Sequence, residues 1–369
     1  MTATEARPEA TTRKTGYMHG LDLLRVIGSC AVVLTHLTAW YGLKDPGFWV
    51  VTAVQEGVVG TLHLNDHLHF FGVAVFLVVS GVVVTHVADR ESPGQFLRRR
   101  VVRLIPLLWA ATLLGWLAIK FGLYRTSADP AALGFGDLAA NLVLGGFFLS
   151  PPVVVLGVTW TLLIQIGFYA YVAATIPVLR RLPWAAPLAA APLCFVVVLA
   201  TFDVSVPGLS QVGSLIGYLP LLCLGQLVSL VHSRKIAPLT GIAIGVAHFA
   251  VVVWVDKLYR YSGMGEAVPR TLLFGVLLTV LLVSMDGPVC RSPFVRGWAK
   301  RTYAVYLVHI PAMYPLLGLL TPLVGPTLAT VAGLAAVAAV TEVLHRFVEV
   351  PADRAIRRWE RRKRERRSD

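Results

Sequence analysis

The chain has 369 residues, of which 56% are hydrophobic and 14% are charged, and its formal net charge is +13. A soluble domain carries about 25% charged residues, so this composition excludes an ordinary soluble enzyme and favours a single polytopic membrane domain. The four Cys residues lie apart in apolar stretches without a CxxC pair, so neither a disulfide framework nor a metal site is expected from them.

Apolar runs of membrane-spanning length recur along the whole chain. The hydrocarbon core of a bilayer is about 30 Å thick and takes about 20 helical residues. The runs lie at residues 21–41, 68–87, 102–121, 158–178, 185–202, 212–232, 236–254, 269–285, 302–320 and 324–346. The run 138–149 is too short to cross, so we expect an interfacial or re-entrant segment there. The sequence therefore predicts an all-α polytopic bundle with about ten transmembrane helices.

The basic residues indicate the orientation. With both termini in the cytoplasm, 26 of the 33 Lys and Arg residues fall in cytoplasmic segments and six outside, while Arg25 lies within the first span. This is the asymmetry of the positive-inside rule. The first run is too long and too charged for a cleaved signal peptide.

Three regions follow from this topology. They are a cytoplasmic N-terminal tail (1–19), a transmembrane domain (20–349) and a basic cytoplasmic tail (350–369). We expect the basic tail to lie along anionic lipid or to be disordered, and we do not expect it to bind nucleic acid.

The first span carries four polar side chains on one helical face. They are Asp22, Arg25, Ser29 and His36. Arg25 and His36 are separated by ~16 Å along the helix. An ionisable group inside a membrane costs about 3 kcal/mol or more and rarely faces lipid. We therefore predict that this face lines a functional site within the bundle, with Asp22 paired to Arg25.

A cluster of arginines precedes the third span, in FLRRRVVRLIP (96–106). Arg100 and Arg103 are one helical turn apart and share a face, and guanidinium groups bind phosphate oxygens in a bidentate manner. These two arginines therefore either bind a phosphorylated cofactor or anchor the cytoplasmic end of the span. For Arg98 and Arg99, anchoring is the simpler interpretation.

Further polar residues lie within or beside later spans. Trp160 fits an interfacial aromatic belt, whereas Gln165 needs a hydrogen-bond partner, either structural or from a substrate. His309 lies ~12 Å above Arg301 by helix rise and is either a structural residue, with Tyr306 nearby, or part of a site. Glu349, among arginines at the end of the last span, is most simply part of an ion-pair cluster.

An outer loop, HLNDHLH (63–69), places His63, His67 and His69 near Asp66. Zinc accepts such ligands, but the segment lacks a second ligand cluster. Solvated histidines or the rim of an acceptor site are the simpler interpretations, and we predict no metal.

Six segments of the chain, in order, resemble a known family. They are GLDLLRVIGSCAVVLTH, FFGVAVFLVVSG, FLRRRVVRLIP, TWTLLIQIGFY, YLVHIP and FVEVP. The order and content of these segments resemble the acyltransferase family 3 membrane proteins, which are integral-membrane O-acyltransferases of sugars, antibiotics and surface polysaccharides. Each segment alone is a weak signal, but six in order are specific.

The resemblance assigns roles to particular residues. Arg25 and His36 match the arginine and histidine of the family's first-helix motif, and Arg100 and Arg103 match its paired arginines. Ser80 ends the second-span motif. Supporting roles follow for the remaining motif residues, which are Asp22, Trp160, Gln165, Tyr306, His309 and Glu349.

Two positions depart from the family pattern. Gln165 replaces the usual acidic residue of the fourth-span motif, and Ala74 replaces the common Asp of the second-span motif. A charged role at these positions is therefore in doubt. We expect no extracellular esterase-like domain after the last span, as in the stand-alone form of the family.

The resemblance implies transfer of an acyl group, often acetyl, from cytoplasmic acyl-CoA to a hydroxyl of a carbohydrate, cell-envelope glycan or glycosylated natural product. In this interpretation Arg25, Arg100 and Arg103 bind the phosphates of CoA, and neutral His36 acts as general base. An acyl-imidazole relay through His36 is the less supported alternative. Acyl-CoA is a co-substrate, and no tightly bound cofactor is expected.

Two other functions remain open from the residues. A transporter or flippase of a lipid-linked or sugar substrate would also place charges within the membrane, although paired broken helices in two related halves are not evident. A non-catalytic partner of an envelope enzyme complex is a third possibility, given Gln165 and Ala74. High Arg, Ala and Val usage is typical of a GC-rich bacterium, so the predicted location is the bacterial cytoplasmic membrane.

Overall fold

The fold was analysed in a computed structural model, which describes residues 17–123, 133–206, 208–259 and 267–368. Its regular elements within these ranges are all helices, so the predicted all-α fold is confirmed. The helices are α1 (His19–Gly42), α2 (Trp49–Val54), α3 (Phe71–Ala88), α4 (Pro93–Lys120), α5 (Phe135–Leu142), α6 (Trp160–Arg181), α7 (Ala185–Thr201), α8 (Leu209–Ile216), α9 (Leu219–His232), α10 (Pro238–Tyr259), α11 (Val268–Val283), α12 (Pro288–Arg291), α13 (Pro293–Ala299), α14 (Thr302–Leu344) and α15 (Val350–Ser368). The predicted N-terminal tail lies almost wholly outside the described residues.

Most of the predicted spans coincide with long apolar helices. Seven helical stretches in the described part of the chain are long and apolar enough to cross a membrane, while α7 and α11 are shorter, at 17 and 16 residues. The run 138–149, predicted not to cross, forms only the eight-residue α5 and a short turn. The chain is thus a multi-pass helical membrane protein, and the number of ten crossings with both termini inside stays a prediction.

Helix α14 is a hairpin rather than one rod. A straight helix of 43 residues would be about 65 Å long, twice the thickness of the hydrocarbon core. Gly325, with φ of 82° and ψ of 166°, interrupts the helical backbone. The two ends meet, because Arg301 Nε lies 2.5 Å from Glu342 Oε2. The two predicted spans 302–320 and 324–346 are therefore two antiparallel arms.

The centre of the bundle is α3, which packs closely against α1 and α9. Gly81 and Gly225 allow the backbones of α3 and α9 to touch. A Cβ added at Gly81 would lie 2.0 Å from the carbonyl oxygen of Leu222, and a Cβ added at Gly225 would lie 1.9 Å from the carbonyl oxygen of Val78. Since α3 is apolar on all sides, it is surrounded by other helices. This packing fixes the polar face of α1 towards the interior.

Basic residues from distant segments gather at one end of the bundle. Arg180 donates to the backbone carbonyls of Ala88 and Glu91 at 3.1 and 2.6 Å, and Lys235 pairs with Asp89. The basic tail, expected either on the lipid surface or disordered, forms helix α15 at this same end. It continues from α14 through one wide helical turn at 345–349.

Candidate active site

Three cavities follow one another along α1. We name them the vestibule, about 820 Å³, the channel, about 80 Å³, and the chamber, about 260 Å³. Arg25, Arg100 and Arg103 line both the vestibule and the channel. Val32 and Tyr306 line both the channel and the chamber. The three cavities therefore form a series, which we name the path, from the basic end of the bundle to His36, which lines the chamber.

The vestibule has a strongly cationic lining. Seven Arg and Lys side chains line it against four Asp and Glu side chains. The basic residues are Arg25, Arg99, Arg100, Arg103, Lys300, Arg354 and Arg357, and the acidic residues are Asp22, Glu349, Asp353 and Glu360. Such an excess of positive charge in a concave surface attracts anions.

Asp22 fixes Arg25 at the inner end of the vestibule. Arg25 Nη1 lies 3.1 Å from Asp22 Oδ1, so the pair expected from the sequence is present. The Tyr17 hydroxyl donates to Asp22 Oδ2 at 2.6 Å. Burial and this hydrogen bond raise the pKa of Tyr17, so the phenol keeps its proton and remains a donor. Both carboxylate oxygens of Asp22 are occupied, which orients the guanidinium of Arg25.

The four arginines of the FLRRRVVRLIP segment divide into two pairs. Arg98 and Arg99 form ion pairs with Glu360 at 3.0 and 2.6 Å. Arg100 and Arg103 form no ion pair with any described residue, and Arg100 is 8% exposed with its guanidinium 5.2 Å from the centroid of the Phe96 ring. The first pair is therefore structural, whereas the second is left available inside the cavities.

Ser80 and Gln165 line the channel. Gln165 is buried, and its Oε1 accepts a 3.1 Å hydrogen bond from the Tyr169 hydroxyl, while its Nε2 has no partner in the described structure. Its amide therefore has one structural contact and one free donor. Ala74 is fully buried in the apolar core and lines none of the three cavities.

Tyr306 separates the channel from the chamber. Its hydroxyl donates to the Val158 carbonyl at 2.6 Å and lies 2.7 Å from Thr161 Oγ1. Its ring stacks on Phe76, with centroids 4.9 Å apart and an interplanar angle of 8°. Tyr306 is thus held on its face and at its hydroxyl.

His36 lines the chamber, and His309 lies directly beside it. Their ring centroids are 4.9 Å apart. His309 is fully buried, its Nδ1 lies 3.1 Å from the Val305 carbonyl oxygen, and its Nε2 has no partner among the described residues. Since a carbonyl can only accept, Nδ1 carries the proton and Nε2 has a lone pair. Trp160, which packs against Tyr218 at 4.7 Å, also lines the chamber.

The remaining predicted residues lie at opposite ends of the path. Glu349 lines the vestibule and lies 2.7 Å from His345 Nδ1. His69 lines the chamber, whereas His63 and His67 line none of the cavities. Within the described ranges, no group of three or more His, Cys, Asp or Glu residues is placed to hold a metal ion.

Some lining residues were not predicted from the sequence. Tyr17 and Tyr169 supply donors to Asp22 and Gln165, and the i,i+4 spacing of Gln165 and Tyr169 was a usable signal. Lys300 and the arginines of α15 reach the vestibule only through tertiary packing, so no local pattern marked them.

The described helices thus form a multi-pass membrane bundle with a series of polar-lined cavities in its interior. Comparison with known families narrows this class. The model of acyltransferase family 3, described as an acyltransferase domain, matches residues 18–346. The chain therefore belongs to acyltransferase family 3, as the six sequence segments predicted.

Two curated proteins are similar to this chain. Nodulation protein 10 of Rhizobium leguminosarum bv. viciae is 25% identical over 331 residues, which cover 82% of this chain and 85% of the relative. Exopolysaccharide production protein ExoZ of Rhizobium meliloti (strain 1021) is 26% identical over 255 residues, which cover 64% of this chain and 74% of the relative. No solved structure matches the chain.

Proposed function

We propose that the protein transfers an acyl group, acetyl in the simplest case, from acyl-CoA to a hydroxyl of a carbohydrate, cell-envelope glycan or glycosylated natural product. The main support is the path from the cationic vestibule to the chamber of His36. A CoA thioester carries phosphates at one end and the reactive carbonyl at the other. It therefore needs cations at the entrance and an uncharged interior, which is the order of residues along this path.

The donor enters through the vestibule in this proposal. Arg100 and Arg103, which have no ion-pair partner among the described residues, bind phosphate oxygens together with Arg25. The pantetheine arm extends through the channel past Gln165, whose free Nε2 donates to an amide carbonyl of the arm. The helix rise separates Arg25 from His36 by ~16 Å, so the thioester is carried well inside the bundle.

The acceptor occupies the chamber. Trp160 offers it the face of an amphipathic ring, and Thr35, whose buried Oγ1 has no partner in the described structure, offers a hydroxyl. The name of the exopolysaccharide relative refers to a carbohydrate polymer, which supports a carbohydrate acceptor. The name of the nodulation relative carries no such information.

His36 provides the proton chemistry. The neutral imidazole accepts the proton of the acceptor hydroxyl while the hydroxyl oxygen attacks the thioester carbonyl carbon. The new C–O bond forms, the C–S bond breaks, and the imidazolium returns the proton to the sulfur of CoA. General base catalysis of this kind contributes about 10²- to 10⁴-fold.

His309 orients the base. Nε2 is the nitrogen of the His309 ring that has no partner in the described structure, and it carries a lone pair. The ring centroids of His309 and His36 are 4.9 Å apart, which is close enough for Nε2 to accept a hydrogen bond from an N–H of His36. In the proposed mechanism this hydrogen bond forms when the substrates bind, and it then fixes the tautomer of His36 with the other nitrogen towards the chamber. His309 is therefore a positioning residue.

The test is acceptor-dependent release of CoA. Purified protein in lipid nanodiscs is supplied with acetyl-CoA and a panel of bacterial exopolysaccharides, and free thiol is measured with and without each polymer. Mass spectrometry then looks for the added acetyl group. We expect both signals with at least one carbohydrate. Movement of polymer into vesicles without CoA release, or no binding of acetyl-CoA, would contradict the proposal.

A further inference from the structure

We propose that helix α15 completes the donor site and that its arginines bind the 3′-phosphate of the CoA moiety. This inference rests on the proposed function. The family match ends at residue 346, whereas α15 runs over Val350–Ser368. The helix therefore lies beyond the residues that the family model matches.

The position of α15 assigns its arginines to the outer end of the path. Arg354 and Arg357 line the vestibule but not the channel. Arg100 and Arg103 line both cavities and so lie nearer to His36. A donor that enters with its thioester first leaves its adenosine 3′-phosphate at the outer end, beside α15.

Specific contacts hold α15 over the vestibule. Glu360 pairs with Arg98 and Arg99 of α4. The guanidinium of Arg98 lies 4.5 Å from the centroid of the Trp359 ring, a cation–π contact. Because the partners lie on two helices, these contacts fix α15 against α4 rather than leaving it on the surface. The vestibule is thus enclosed between the two helices.

The charges on this wall suit a phosphate dianion. Arg354 and Lys300 form no ion pair with any described residue. Among the described residues, Arg357 forms an ion pair only with Asp353, and both of these side chains are exposed. A lipid headgroup offers the same phosphate chemistry. We favour the nucleotide of CoA over a lipid headgroup because Arg25, Arg100 and Arg103 line the channel as well as the vestibule. The cationic lining therefore extends into the bundle and away from the lipid.

The test compares the binding of CoA and of dephospho-CoA, which lacks the 3′-phosphate. Full-length protein in zwitterionic nanodiscs is titrated with each compound as wild type, as Arg354→Ala/Arg357→Ala, and as Arg358→Ala/Arg361→Ala. The last variant removes two cations from α15 that do not line the vestibule. We expect wild type to prefer CoA by about tenfold or more, the first variant to lose this preference, and the second to keep it.

In zwitterionic nanodiscs, three results would overturn the inference: no preference in wild type, a preference that survives in Arg354→Ala/Arg357→Ala, or an equal loss in both variants, which would indicate bulk surface charge. Loss of the preference in wild type when phosphatidylglycerol replaces the zwitterionic lipid would assign the arginines to a headgroup instead.

The same experiment separates this inference from the proposed function. If CoA binds without preference while acetyl transfer continues, only the role of α15 is wrong. If CoA does not bind and no acetyl group is transferred, both proposals fail. Circular dichroism of each variant checks that the helical content is retained.

Discussion

The vestibule and the chamber lie on one path but differ in the charge of the side chains that line them. In the vestibule, charges are abundant, and several are paired, as Arg25 is with Asp22 and Arg99 with Glu360. The described lining of the chamber includes His36 and His69 but no Asp, Glu, Lys or Arg side chain. Thr35 Oγ1 in this lining and His309 Nε2 beside it have no partner in the described structure. Desolvating a charge costs several kcal/mol, so ions remain near the entrance. In the proposed mechanism, donor binding and proton transfer therefore take place at opposite ends of the path.

Removing the base at the chamber end is expected to have the largest effect. His36→Ala should lower kcat by about 10²- to 10⁴-fold and leave the Kd of acetyl-CoA unchanged, because the phosphates bind at the other end. Acetyl transfer and acetyl-CoA titration measure the two quantities. His63→Ala is the matched control, since His63 lines none of the cavities. Undiminished turnover in His36→Ala would remove His36 from the mechanism.

A smaller effect is expected behind the base, at His309. His309→Ala should lower kcat by about 10²-fold with little change in KM, because a misoriented base no longer reaches the hydroxyl. His309→Gln retains an acceptor near the position of Nε2 and should recover part of the loss. The pH profile of kcat should also move in the Ala variant. If Gln and Ala behave alike with an unchanged profile, His309 has only a packing role.

At the vestibule end the expected effect is on binding. Arg100→Ala and Arg103→Ala should each weaken acetyl-CoA binding by about 10- to 100-fold, the range for a hydrogen bond to a charged group, and should reduce its dependence on salt. Kd is measured at several salt concentrations. Arg181→Ala, which removes an exposed cation outside all three cavities, should bind as wild type does. Equal losses in all three variants would contradict a specific phosphate site.

The smallest effect is expected outside both cavities. Arg301 closes the α14 hairpin through Glu342, and both side chains are about one-third exposed. A pair of this kind contributes about 0.2–1 kcal/mol, so Arg301→Ala should lower the Tm of the protein in detergent by a few degrees at most. Acetyl-CoA binding should not change. A large loss of binding would show that the hairpin positions the vestibule.

At both the chamber and the vestibule, the positions of residues that share one helix could be predicted from the sequence. The stripe of Arg25, Ser29 and His36 follows from the helical period within one element, and the structure places all three along the cavities. The separation of Arg100 and Arg103 from Arg98 and Arg99 likewise follows from one helical turn. Local periodicity was sufficient in both cases.

Contacts between distant segments could not be predicted. His36 and His309 are brought together by the packing of α1 against α14, and Glu360 meets Arg99 across 261 residues of sequence. The basic tail has few apolar residues, so its composition gave no sign that Trp359 and Glu360 would hold it against α4. From one sequence it cannot be predicted which of many arginines will form the ion pair with a given glutamate.

The partition formed by Val32 and Tyr306 has a consequence for the membrane itself. An open interior that joined both faces of a bilayer would also conduct protons and small ions. Val32 and Tyr306 line both the channel and the chamber, and the Tyr306 hydroxyl is already hydrogen-bonded to Val158 and Thr161. These two side chains therefore offer no free polar group to a hydrated ion, which disfavours ion leakage where the channel meets the chamber.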